Sequence, residues 1–172
     1  MVDQVYDKIC DGKPFPVVHW RNRTGENCLQ SGYWSKRACK EEDSLNIQIM
    51  SQLTDLMVQR LLDYLDVEKY ECVYIASPPI PQEFVLKIAA KFPHTVTLSH
   101  VLKLSPEISK HRDDVYAISI LEQEIAVRAD LFIGWRESSW TQSVYRMRNS
   151  KGRKNVPLPR VPGMPKVLQV IW

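Results

Sequence analysis

Ala129-Asp130-Leu131-Phe132-Ile133-Gly134-Trp135-Arg136-Glu137-Ser138-Ser139-Trp140-Thr141 is the stretch from which the chain is read. Leu131 to Gly134 is a short apolar run of strand character, and a few residues later two serines open a helical stretch, Ser138 to Arg148. A strand end delivers the backbone to the rim of a sheet, and the first turn of a helix presents unpaired N–H groups with a partial positive charge. Such a junction suits phosphate, and serine hydroxyls add donors. The plainer reading is that Ser138 only caps the helix, as serine commonly does. The sequence leaves both readings open.

Outward from this junction the same alternation repeats. Asp113 or Asp114 caps a helix whose apolar stripe is Val115, Ile118, Leu121 and Ile125. Upstream, Thr95 to Leu98 reads as a short strand, and Pro81 opens a helix through Phe84, Ile88 and Ala89. Cys72-Val73-Tyr74-Ile75-Ala76 is a β-prone run stopped by Ser77-Pro78-Pro79. Asp43 to Leu65 keeps helical spacing at Ile49, Leu53, Leu56, Met57, Leu61 and Leu65, with Asp43 or Ser44 as N-cap. Pro16 to Arg21 is a first strand, followed by a long irregular connection to about Glu42. Strands that alternate with helices and are apolar on both faces predict an α/β fold: a Rossmann-like parallel sheet with helices on both faces. Ligands in such sheets bind beyond the carboxyl ends of the strands. Those ends are His19-Trp20-Arg21, Ser77-Pro78, Ser99-His100 and Trp135 to Ser139.

At 172 residues and 44% hydrophobic content the chain is sized for one domain, placed over residues 1–150. Residues 151–172 interleave Lys151, Arg153, Lys154, Arg160 and Lys166 with prolines and read as a basic tail, with Val167 to Ile171 a candidate edge strand. A net charge of +3 from 23 basic and 20 acidic residues gives no strong field for nucleic acid. No apolar run reaches the length of a membrane span, and the first residues lack the layout of a signal peptide. Cys28 and Cys39 bracket a loop and would pair in an oxidising compartment, whereas Cys72 at the head of an apolar strand reads as a buried thiol. With no Cys-x-x-Cys and no clustering of His19, His94, His100 and His111, no metal is expected.

Alternation along the first strand puts His19 and Arg21 on one side and Trp20 on the other. An arginine at a strand end can grip a diphosphate with paired, charge-assisted hydrogen bonds, and His19 beside it can reach a base, a sugar or the same phosphate. The plainer alternative is a surface arginine beside a buried, satisfied histidine. The glycines never fall into GxGxxG or GxxxxGK[ST], which argues against nicotinamide or flavin dinucleotides and P-loop hydrolases. No GxSxG elbow is present. Asn22-Arg23-Thr24 is a glycosylation sequon, a triplet that also arises by chance.

In order along the chain stand an HxR strand end (His19, Arg21), the Val-Tyr-Ile-Ala-Ser strand end, Asp-Val-Tyr, and Ala-Asp-Leu-Phe-Ile-Gly with Ser-Ser-Trp-Thr and Arg-Met-Arg. In that order and spacing, from about Val17 to Arg148, the chain resembles the donor-binding half of the GDP-fucose protein O-fucosyltransferases. The nearest similarity is to those acting on epidermal-growth-factor-like repeats. The resemblance implies one half of a GT-B architecture that binds GDP-fucose for inverting, metal-independent transfer of fucose to Ser or Thr of a protein acceptor such as an EGF-like repeat. It implies the endoplasmic reticulum lumen, and no cofactor beyond the donor substrate. By position, Arg21 matches the family's essential arginine on the β-phosphate, the catalytic residue. His19 matches the histidine of that strand near the nucleotide, Ser138 and Ser139 the phosphate-binding serine pair, and Trp140 the place of a phenylalanine near the donor.

The chain departs from the family pattern at Pro78 after Ser77, at Gly25 or Glu26 after HxR, and at Arg136-Glu137 before the serine pair. The family's N-terminal domain has no counterpart in it, which fits a fragment or a lone donor-binding domain. The alternative is a non-catalytic nucleotide-sugar-binding or interaction module derived from the fold.

Overall fold

A computed structural model describes residues 2–21, 41–78, 82–92, 94–135, 138–158 and 162. Its centre is a five-stranded sheet of order β3-β2-β1-β4-β5, with every pairing parallel. The strands are β1 (Pro16–His19), β2 (Val73–Ala76), β3 (Thr95–Thr97), β4 (Leu131–Gly134) and β5 (Asn155–Pro157). Helices α1 (Glu41–Val67), α2 (Glu83–Lys91), α3 (Leu98–Leu104), α4 (Pro106–Ser109), α5 (Val115–Arg128) and α6 (Ser139–Asn149) supply the connections. The α/β class and the parallel sheet expected from the alternation are those observed. No helix among the described residues is long and apolar enough to cross a membrane.

Period-two alternation divides the core in two. Val17, Tyr74, Ala76 and Phe132 face one layer with Ile118, Leu121 and Ile125 of α5 and Val144 of α6. Val18, Val73, Ile75, Leu131 and Ile133 face the other with Met57, Val58, Leu61 and Leu65 of α1 and Phe84 and Ile88 of α2. Both sides of the strands are buried, which is why they read as near-continuous apolar runs. Leu56, expected on the inner face of α1, is instead one of the exposed apolar residues, because the buried spacing runs through Met57, Leu61 and Leu65.

Several boundaries differ from the sequence reading. Asp43 and Ser44, expected as alternative caps, lie inside α1, which spans Glu41–Val67. Ser99 and His100 belong to α3 rather than to a strand end. The Thr97 N–H donates to His100 Nδ1 at 3.1 Å and Thr97 Oγ1 lies 2.9 Å from Ser99 Oγ, so both side chains are used at the helix start. Of the two candidate caps of α5, Asp114 serves: its Oδ1 accepts from the N–H groups of Tyr116 and Ala117 at 3.1 and 3.0 Å. The segment after residue 150, expected as a tail, contributes β5, which pairs Val156 with Ile133 of β4. Val167 to Ile171, the Cys28 and Cys39 pair, the Asn22 sequon, Pro81 and Arg136-Glu137 lie outside the described residues.

Cys72 is buried as expected, but as half of a disulfide with Cys10, with Cα atoms 5.7 Å apart. Its partner lies in an N-terminal 3₁₀ segment, Tyr6–Gly12, that the sequence did not announce. There the chain turns through positive φ at Cys10, Asp11 and Gly12 (56°, 54° and 74°), and Ile9 and Cys10 go into the core. Arg148, of the Arg-Met-Arg triplet, is fully buried and structural. Its guanidinium donates to the carbonyls of Ala126, Val127 and Ala129 at the end of α5 (2.7, 3.1 and 2.6 Å), and to those of Asp130 and Lys154 (3.1 and 2.7 Å). One side chain thus satisfies a helix C-terminus and ties β4 to the approach of β5. Burial lowers its pKa to about 10, so it stays charged at neutral pH.

Candidate functional site

From β1 the chain proceeds to β2 and β3 on one side, then crosses back to β4 on the other. The carboxyl ends of β1 and β4 therefore flank the topological switch point, where open α/β sheets bind ligands. Register Val17↔Phe132 and Val18↔Ile133 continues to set His19 level with Gly134, so the HxR strand end and the start of α6 meet there.

His19, Arg21, Ala76, Ser77, Pro78, Leu98, Arg112, Val115, Ile118, Ser119, Glu122 and Trp140 line a cleft at this point. Trp20, by alternation, turns to the other layer and stacks on Phe84 at 4.0 Å between ring centroids. His19 is held on two sides. Its ring stacks on the Trp140 indole, with centroids 4.2 Å apart and planes at 24°, and its Nδ1 lies 2.7 Å from Thr141 Oγ1. The indole is pinned in turn, because Trp140 Nε1 donates to Ser119 Oγ at 3.0 Å across to α5. Gly134 makes the approach of α6 to β4 possible: a Cβ there would collide with Thr141 Cγ2 and stand 2.8 Å from Phe132 Cε1.

Beneath the cleft the Tyr74 hydroxyl donates to Glu122 Oε1 at 2.8 Å. Burial raises the Glu122 pKa to about 8, against a smaller opposing effect of the Tyr74 hydrogen bond, so the carboxyl is mostly protonated at neutral pH. Burial, reinforced by the charge of Arg21, lowers His19 to about 3 and keeps the imidazole neutral. Two guanidinium groups, Arg21 and Arg112, thus line a cleft in which Glu122, the one carboxyl among the described lining residues, is uncharged, although Arg112 Nε also lies 3.5 Å from the Asp113 carboxylate. An anion is the ligand such a lining favours.

Ser138 stands at the N-cap of α6 with extended backbone (φ −86°, ψ 127°), but its hydroxyl makes no capping hydrogen bond, so the purely capping role weighed for it is not the one observed. Ser138 is half-buried and Ser139 exposed; they adjoin Trp140 at the helix start without lining the cleft. Of the residues singled out in the sequence, His19, Arg21 and Trp140 come together in one cleft. Glu122, Ser119, Tyr74 and Thr141 were not singled out. Glu122 carried a signal: it falls four residues after Ile118 and three before Ile125, a carboxyl on an apolar stripe.

Fold and cleft together define a Rossmann-like domain with a candidate anion site at its switch point. No protein-family model matches the chain, and no curated protein matches it by sequence. Solved structures do match. POFUT1 in complex with GDP-fucose superposes with a TM-score of 0.57 at 16% identity, over 93% of this chain and 46% of that one. POFUT1 in complex with GDP gives a TM-score of 0.56 at 17% identity, over 92% and 48%. The apo form of POFUT1 gives 0.51 at 18% identity, over 92% and 46%. POFUT1 is a GDP-fucose protein O-fucosyltransferase, so the fold expected from the resemblance is the fold found. The chain spans less than half the length of these solved structures.

Proposed function

We propose that the chain is the donor-binding domain of a protein O-fucosyltransferase, holding GDP-fucose for inverting, metal-independent transfer of fucose to Ser or Thr of a protein acceptor. The observation that carries this reading is the meeting of His19 and Arg21 with the start of α6 at the β1/β4 switch point, in a cleft where the Glu122 carboxyl is protonated. Breaking a glycosidic bond to a diphosphate leaves negative charge on the leaving group. Fixed donors that meet this charge lower the barrier. Arg21 supplies the cation on the β-phosphate. The first-turn N–H groups of α6, with Ser138 and Ser139 and their hydroxyls, position the phosphates without a metal ion. His19 and Trp140 form the wall against which the nucleotide or sugar rests.

An EGF-like repeat is the acceptor that the motif resemblance favours. The Cys10–Cys72 disulfide supports an oxidising compartment such as the endoplasmic reticulum lumen. A second reading, a binding module without transferase activity, is favoured by Pro78, which lines the cleft at a strand end where the sequence departs from the family pattern. Fucose transfer to a folded acceptor repeat by this chain alone would refute that second reading.

Isothermal titration with GDP and with GDP-fucose tests the donor site. Saturable binding is expected, weakened about 10- to 100-fold in Arg21→Ala by loss of a charge-assisted contact. Absence of binding, or equal affinity in the variant, overturns the proposal.

A further inference from the structure

We propose that Thr141 fixes His19 as the Nε2–H tautomer, which makes the ring a hydrogen-bond donor into the cleft and leaves it without a lone pair to act as a general base there. Thr141 is fully buried. A hydroxyl carries one proton that must find an acceptor when water is excluded, and leaving it unmade costs more than the bond is worth in water. Among the described residues the one hydrogen-bond partner of this hydroxyl is His19 Nδ1, at 2.7 Å. If Nδ1 bore the ring proton, two donors would face each other or the hydroxyl proton would point into the core with no acceptor. If Nδ1 is the acceptor, both groups are satisfied, and the ring proton of the neutral imidazole sits on Nε2.

The geometry leaves little freedom to escape this assignment. Thr141 Cγ2 is lodged against Gly134, so the branched side chain cannot turn its hydroxyl elsewhere without displacing α6 from β4. The stack on Trp140, itself anchored to Ser119, holds the imidazole plane, and turning the ring over within that plane would put Cδ2 in place of Nδ1 opposite the Thr141 hydroxyl and leave its proton without an acceptor. Nε2 has no hydrogen-bond partner among the described residues, and His19 lines the cleft beside Arg21, so Nε2–H is offered to whatever binds there. A phosphoryl or hydroxyl oxygen of the ligand is the complementary acceptor. Thr141 is therefore a positioning residue acting through His19. The identity of the ligand rests on the donor-site proposal above; the tautomer does not.

The test uses the full chain, with ¹⁵N-resolved imidazole spectra recorded alongside GDP titrations. Wild type is expected to show His19 as Nε2–H with Nδ1 accepting a hydrogen bond, and Thr141→Ser to match it in spectrum and affinity. Thr141→Val is expected to lose the Nδ1 hydrogen-bond signature, to gain some Nδ1–H form, and to bind GDP about three- to tenfold more weakly, the loss of one neutral hydrogen bond. An Nδ1–H ring in wild type overturns the inference, as do unchanged ring resonances in Thr141→Val. Should the valine variant not fold, the wild-type and serine spectra still decide the tautomer. An Nε2–H ring without any GDP binding would sink the nucleotide reading and leave the role of Thr141 standing.

Discussion

Glu122 and His19 border the same cleft and pull stability in opposite directions with pH. The folded pKa of Glu122 is raised from 4.5 to about 8, so the stability tied to its protonated form is complete below 4.5 and is lost as pH rises through 8. The folded pKa of His19 is lowered from 6.5 to about 3, so its share is complete above 6.5 and is lost as pH falls through 3. Between 4.5 and 6.5 the two slopes, each about 1.4 kcal/mol per pH unit, oppose one another. Above 6.5 Glu122 acts alone and stability falls towards pH 8. Glu122→Gln keeps an acceptor for the Tyr74 hydroxyl and cannot ionise. Urea midpoints measured across pH 5 to 8 are therefore expected to drop on the alkaline side for wild type and to stay level there for the variant. Identical profiles would show that Glu122 is ionised in the folded protein. His19 was legible in the sequence from its place two residues before Arg21. The partners that set its state were not, because Thr141 lies 122 residues away and only the sheet order brings it near.

At the scale of elements, the close seating of α6 on β4 depends on Gly134. In Gly134→Ala a methyl group would overlap Thr141 Cγ2 and crowd the Phe132 ring, and α6 would have to move outward. Overpacking of this kind costs about 1–3 kcal/mol. The shift would also open the 2.7 Å contact between Thr141 and His19. Denaturation and GDP titration of this variant are expected to show both losses together; native stability with native affinity would mean that the helix tolerates the methyl group in place. The helices themselves were readable, since α1, α5 and α6 each carry apolar residues at helical spacing. Their edges were less so. His100 looked like a strand-end group available to a ligand, yet its ring accepts from the backbone at the start of α3. Local capping of this kind is a matter of a few dihedral angles, which periodicity does not report.

For the whole molecule, alternation of strands and helices was enough to expect a parallel sheet, and the sheet is parallel. Its order was not legible, nor was β5, because Asn155–Pro157 is too short and polar to read as a strand and earns its place through the Gly134 carbonyl, which accepts from Leu158 N–H at 2.9 Å, and through pairing with β4. The Cys10–Cys72 bond was equally hidden: its halves are 62 residues apart, and Cys10 reaches Cys72 only through the positive-φ turn of the N-terminal segment. A crosslink closing a loop of 62 residues stabilises by about 4 kcal/mol on the chain-entropy account. Cys10→Ala with Cys72→Ala is expected to lower the urea midpoint by a corresponding amount. An unchanged midpoint would show that packing of the 3₁₀ segment alone holds the N-terminus.

The same bond has a topological effect. It encloses β1, α1 and the long connection between them in one covalent ring, with Arg21 inside it. A protease that cuts the backbone once anywhere between Asp11 and Glu71 linearises the ring without releasing a fragment, so the clipped protein keeps its intact mass, plus one water, on a non-reducing gel and separates into two pieces only when the thiols are freed.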